Sequence, residues 1–137
     1  MNKILVSLDG SEISERACAK AVELAAAMKS KLVFLYVANV NQLAVHSCLS
    51  SELLEAVNKA GDVILTHAEE NAPEGVETER VLETGSPAPT IVDVAEEIGA
   101  DLIVMGSRGL GLVKGVFLGS VSQYVVENAK CAVMVVK

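Results

Sequence analysis

Short apolar runs alternate with stretches of helical spacing along the whole chain. Lys3 to Leu8 is a buried-strand pattern that stops at Asp9-Gly10-Ser11, and Ser11 is of a residue type that caps helices. The spacing that follows predicts a helix with Ile13, Ala17, Ala21, Leu24 and Met28 on one inward stripe, ending at Lys29-Ser30-Lys31, where basic side chains favour a helix C-terminus. Leu32 to Val37 is a second strand, apolar except for the Tyr36 hydroxyl. Ala38 to Leu49 has no clear period. Ser50 or Ser51 then opens a long helix with Leu53, Val57, Ala60, Ile64 and Ala68 inward despite Gly61 in its interior, and Pro73 and Gly75 end it. Val76 to Leu82 carries Glu77, Glu79 and Arg80, a charge density that marks a sheet edge. Gly85-Ser86-Pro87 leads into a helix with Ile91, Val94, Ala95 and Ile98 inward and Gly99 as its left-handed terminal residue. Asp101 to Met105 is the fourth strand and Ala132 to Val136 the fifth. Between them Val121, Tyr124, Val125 and Asn128 share one helical face.

Strand and helix therefore alternate through five strands and four helices. Short turns between them imply right-handed crossovers, and so an α/β fold with a doubly wound parallel sheet. The composition agrees. Of 137 residues 51% are hydrophobic and only 3% aromatic, so the core has to be Val, Ile, Leu and Ala, which suits strands covered on both faces. The length fits a single domain spanning 1–137. Eighteen acidic against eleven basic residues give a net charge of −7, which argues against a nucleic-acid partner that needs many phosphate contacts. No apolar run has membrane-spanning length and the N-terminus has no signal-peptide pattern, so no membrane partner is expected and a cytoplasmic protein is. Cys18, Cys48 and Cys131 are odd in number and far apart, so they read as reduced thiols rather than as a disulfide framework or a zinc site.

In such sheets ligands bind beyond the carboxyl ends of the strands, where strand order reverses. Asp9, Val37 and Gly106 each lie at or just beyond such an end. The stretch from Gly106 to Ser122 holds glycines at 106, 109, 111, 115 and 119, poor material for a regular element but suited to a loop that approaches something closely. Ser120 and Gln123 form an S-x-x-Q capping box, which predicts a helix starting at Ser120 with its free N–H groups facing the loop, a natural anion site. The loop matches neither G-x-x-x-x-G-K-[ST] nor G-x-G-x-x-G, so a P-loop and a nicotinamide dehydrogenase are both disfavoured. Read from the residues alone, it is either an anion site or a plain glycine-rich surface connection. Asp9 likewise either meets a ligand or simply closes the turn before the first helix. His46 and His67 lack metal-ligand spacing, so no metal site is expected, and G-S-V-S is not a nucleophile elbow, so no catalytic triad is expected either.

One spacing reaches further. Gly106 and Gly109, nine residues from Leu110 to Leu118, then Gly119-Ser120 make G-x-x-G-x9-G-[ST], and the chain thereby resembles the ATP-binding branch of the universal stress protein family. The likeness extends to the opening Ile4 to Ser11, to Asp101 to Gly109 and to the closing Cys131 to Val136. Two departures are visible: Ala132 stands where many members have proline, and Leu43 to Ser50 matches no family pattern.

The resemblance implies a Rossmann-like fold of the adenine nucleotide alpha hydrolase type, with strand order 3-2-1-4-5. It also implies a homodimer paired through Ala132 to Val136, and a nucleotide-dependent switch or sensor in stress response that acts on a downstream protein. The implied ligand is ATP, ADP or AMP, with Mg²⁺ held mainly by the phosphates. Asp9 would accept from the adenine amino group, Val37 would contact the base, and Gly106 would lie against the ribose. Gly109, Gly119, Ser120 and Val121 would offer backbone N–H groups to the phosphates, with Arg108 and Lys114 adding charge. Leu8, Met105, Ser107 and Ser122 complete the implied site. Two alternatives belong to other classes. One is a slow ATPase or phosphoryl-transfer enzyme, for which the chain offers no clear general base; the other is an interaction subunit that binds no nucleotide.

Overall fold

The computed structural model describes residues 1–39, 51–109 and 118–137. Most of the aperiodic segment after the second strand, with His46 and Cys48, and Gly111, Lys114 and Gly115 of the glycine stretch lie outside the described residues. The elements follow in the order β1 (Lys3–Leu8), α1 (Glu12–Met28), β2 (Lys31–Ala38), α2 (Ser51–Glu70), β3 (Thr78–Thr84), α3 (Pro87–Ile98), β4 (Leu102–Gly106), α4 (Ser120–Asn128) and β5 (Ala132–Val136). All strand pairs are parallel and the sheet order is β3-β2-β1-β4-β5. β1 is central, with Leu8 opposite Tyr36 on one side and Val6 opposite Val104 on the other.

The two-residue period of the strands divides the core in two. Ile4, Val6, Leu8, Leu32, Phe34, Leu102 and Val104 meet α1 and α2 through Ala17, Ala21, Ala25, Leu65 and Ala68. Leu5, Val33, Leu35, Ile103 and Met105 meet α3 and α4 through Ile91, Val94, Ala95 and Val125. Strand order thus reverses at β1 and β4, with crossovers on opposite faces.

Helix positions differ from expectation in detail. α1 is capped by Ser11, whose hydroxyl accepts from the Ser14 N–H at 3.1 Å. Its inward stripe runs Ile13, Ala17, Ala21 and Ala25, while Met28 is 46% exposed in the last turn. Small alanines let α1 lie close over the sheet, and the bulky terminal methionine is left outside. In α2 the buried residues are Gly61, Leu65 and Ala68, whereas Ala60 is exposed and Leu53 is 37% exposed. Gly61 is there for room: a Cβ on it would lie 2.4 Å from Cδ1 of the Tyr36 ring.

β3 begins at Thr78 rather than Val76, because Val76 N–H closes a turn onto Pro73 O at 3.3 Å and the ladder with β2 starts at Leu32 opposite Thr78. Its edge charges are used locally. Lys31 bridges Glu79 at 2.8 Å and Glu77 at 3.7 Å, while Arg80 reaches α2 at Asp62, at Thr66 Oγ1 (3.0 Å) and at Glu69 (3.6 Å). As surface pairs these contribute little each; the Lys31 pairs join β2 to β3, and the Arg80 contacts tie α2 to the sheet edge.

The amino end is held by Asp101, whose carboxylate accepts the N–H groups of Asn2 at 2.8 Å and Lys3 at 3.0 Å. The Asn2 bond, then that of Lys3, hold its pKa below the ordinary aspartate value. A carboxyl whose pKa falls on folding stabilises the fold above its unfolded pKa, and that contribution is lost as pH falls through the depressed folded value. Asp101→Asn is therefore expected to flatten the acid limb of the stability curve. Urea midpoints measured against pH check this, and parallel limbs for parent and variant would exclude it.

Candidate functional site

The carboxyl ends of β1, β2 and β4 and the start of α4 meet at the switch point. β1 delivers Asp9, and Gly10 follows with φ of 85°, a left-handed turn that glycine takes without strain. One carboxylate oxygen, Asp9 Oδ1, accepts the Ser11 N–H at 2.9 Å and closes the turn before α1. The other faces the glycine stretch: a Cβ built on Gly109 would lie 2.9 Å from Asp9 Oδ2. Both readings of Asp9 are thus compatible, since its two oxygens face different ways. On β2, Tyr36 lies near enough that, after burial, the Asp9 charge raises its hydroxyl pKa. Val37, half-buried, packs toward α3 and α4.

β4 ends at Gly106, where a side chain has no room, because a Cβ would lie 2.6 Å from Ile13 Cγ2. Leu8 and Met105 are each 5% exposed, with side chains in the two core layers, so only their backbone can face a ligand. Ser107 is buried. Its N–H donates to Val136 O at 2.7 Å, and its carbonyl accepts the Gly119 N–H and the Ser122 hydroxyl, each at 2.7 Å. Arg108 follows, half-buried, and Gly109 is exposed. A Cβ on Gly119 would lie 3.4 Å from Arg108 Cα and 3.9 Å from Gly109 N, so both ends of the glycine stretch are in contact.

The expected capping box does not form. Gly119 is the N-cap of α4, with extended backbone and no side-chain cap bond, and Ser120 is already the first helical residue. A capping hydroxyl must stand one position earlier, at the N-cap, to reach the N–H of the third helical residue; Gln123 instead bonds Gly119 O through its backbone at 2.9 Å and directs its amide to Glu127. The start of the helix nevertheless falls at Ser120 as expected. The N–H groups of Ser120 and Val121 have no partner four residues back within the helix, and they carry the positive end of its dipole. The Gly119 N–H is already committed to Ser107.

Sequence reasoning placed Ser107 and Ser122 among ligand contacts, whereas both side chains are buried. The signal was present in the spacing: Ser122 stands one turn before buried Val125, on the inward stripe of α4. Tyr124 and Asn128, expected on that face, are exposed.

Other candidate groups lie elsewhere. Burial, then the charge of Glu15, pushes the Cys18 thiol up to about 11, and burial also raises that of Cys131, so neither is a ready nucleophile. His67 is exposed near the end of α2 beside the Asn71 amide. Among the described residues no group of three or more His, Cys, Asp or Glu is arranged to hold a metal ion, and no helix is long and apolar enough to cross a membrane.

A universal stress protein from Bacillus subtilis, YxiE, is 37% identical over 99% of both chains. Among solved structures, hypothetical protein MJ0577 superposes with a TM-score of 0.90 at 26% identity, covering 99% of this chain and 95% of that one. A universal stress protein in complex with cAMP superposes with a TM-score of 0.78 at 28% identity, covering 99% and 97%. The sequence pattern that defines the Universal stress protein family matches residues 1–137, and on that match together with its relatives the chain belongs to the universal stress protein family.

Proposed function

We propose that the chain binds an adenine nucleotide in the crevice between Asp9 and the start of α4, and acts as a nucleotide-dependent switch or sensor in stress response. One observation carries the reading. Gly106 is required by its packing on Ile13, but among the described residues nothing requires glycine at 109 or 119. Among the described residues, Gly119 has an ordinary φ of −69° and room for a Cβ at van der Waals distance, and the one close neighbour of Gly109 is the end of the Asp9 side chain. Bare backbone at two touching positions that the fold could decorate is what the close approach of a polyanion demands. The relative solved with cAMP supports the adenine class of ligand.

In this reading Asp9 accepts from the adenine amino group, Val37 lies along the base, and Gly106 offers its bare surface to the ribose. The Gly109, Ser120 and Val121 N–H groups meet the phosphates, and Arg108 adds positive charge. The Gly119 N–H serves the phosphates only if it leaves Ser107. Mg²⁺ suits this site as a partner of the phosphate oxygens, with hard oxygen ligands from the nucleotide itself. The exposed flank of β5, with half-buried Val133, Met134, Val135 and Val136, is an apolar edge that a second copy covers by strand pairing.

Native mass spectrometry of the protein as purified, then with added Mg-ATP, tests ligand and assembly together. A dimer carrying one adenine nucleotide per chain is expected. A protein that ignores Mg-ATP, ADP and AMP would exclude the binding claim, and recovery of ADP from bound ATP would reveal turnover.

A further inference from the structure

One carbonyl draws the base of the glycine loop shut. The oxygen of Ser107, a residue 3% exposed, accepts from the Gly119 N–H and from the Ser122 hydroxyl at 2.7 Å each, which occupies both of its lone pairs. Ser122 is 2% exposed, and among the described residues its hydroxyl has one further acceptor, Gly119 O at 3.1 Å. The two contacts join the residue before the loop to the residue that caps α4, and the Ser107 N–H to Val136 O bond ties both to the last strand.

Resting on the reading above, that the start of α4 binds nucleotide phosphates, we infer that Ser122 is a positioning residue for the phosphate group. It touches no ligand. Its hydroxyl fixes the first turn of α4 against Ser107 and so fixes the direction of the Ser120 and Val121 N–H groups. Without it the Gly119 bond is the remaining tie to the Ser107 carbonyl among the described residues, and the first turn is held less firmly in direction. Donors that must be reoriented on binding lose affinity relative to donors already in place. The loss falls on the phosphates, since the base and ribose are served by Asp9, Val37 and Gly106 on other strands.

Ser122→Ala tests this, because alanine suits a helix and nearly preserves the buried volume. Titration calorimetry with Mg-ATP and, separately, with adenosine is the first readout. The dissociation constant for ATP is expected to rise about five- to tenfold, the equivalent of one neutral hydrogen bond, with adenosine affinity unchanged. Amide exchange of Gly119, followed by NMR without ligand, is the second, and its protection is expected to fall in the variant. Unchanged ATP affinity would overturn the inference, and so would an equal loss for ATP and adenosine, which marks a hydroxyl that supports the whole fold. A parent protein that binds neither ligand would instead bring down the nucleotide reading itself, and this inference with it.

Discussion

A chain carrying both Gly109→Val and Gly119→Val is expected to bind ATP at least about 100-fold more weakly than the parent, a loss of about 3 kcal/mol, while still unfolding as one cooperative unit. The two halves of that expectation have separate grounds. Stability survives because neither position needs glycine for the fold. Gly119 has φ of −69° with Arg108 Cα 3.4 Å from a built Cβ, and Gly109 is exposed, with a carboxylate end as the atom that must give way. Binding is not expected to survive, because the branched side chains stand over the two backbone segments that the proposed site brings against the phosphates and hold a phosphate several ångströms off. The valine at 109 also crowds Asp9, whose Oδ2 lies 2.9 Å from a Cβ built there. Calorimetry for affinity and circular dichroism melts for cooperativity check both halves. Unaltered affinity in a folded double variant would place the nucleotide elsewhere on the molecule.

The second large effect reverses an ordinary rule. Replacing a helix-interior glycine by alanine stabilises an exposed helix by about 1 kcal/mol. Gly61→Ala is expected to destabilise this protein instead, by about 1–3 kcal/mol, the range for overpacking a well-filled core. The added methyl would stand 2.4 Å and 2.6 Å from two ring carbons of Tyr36, so the ring or α2 has to move. Tyr36 cannot retreat freely, since it belongs to β2 and its ring packs with the core layer under α1 and α2. The pair should therefore be coupled. In a Tyr36→Leu background, where the ring is gone, the same Gly61→Ala change is expected to be neutral or stabilising. Urea unfolding of the four proteins of this cycle measures the coupling, and a destabilisation of equal size in both backgrounds would show that the ring is not the cause.

Gly61 also marks where the sequence stopped being informative. Period and punctuation were enough to find each strand and helix of the described residues, because a parallel sheet buries both faces of its strands and each helix has one apolar stripe. They could not show why a glycine sits in mid-helix, since the reason is a ring on another element. The shift of β3 by two residues has the same origin: its start is fixed by the ladder with Leu32 and by the turn at Pro73, not by its own composition. At the site, the glycine spacing announced a close backbone approach, and the structure separates its glycines by purpose. Gly106 is spared a side chain by Ile13, while Gly109 and Gly119 have no such need. The capping box at Ser120 and Gln123 was a true local pattern displaced by one residue, because the long-range bond from Gly119 to Ser107 made Gly119 the cap. Ser122 looked like a ligand contact because it follows the motif, and only the helical phase relative to Val125 turns it inward.

The bond from the Ser107 N–H to Val136 O has a consequence for the life of the molecule before it is complete. Domains form as the chain leaves the ribosome, amino end first. β1, β2 and β3 can pair early, yet the crevice lies between β1 and β4, and Ser107, beside it, is secured by Val136 of β5. A nascent chain therefore has no finished crevice until Val136 has emerged and β5 has docked on β4. A chain whose synthesis stops short of β5 lacks the Val136 carbonyl that holds Ser107, and with it the finished crevice that the proposed nucleotide site requires.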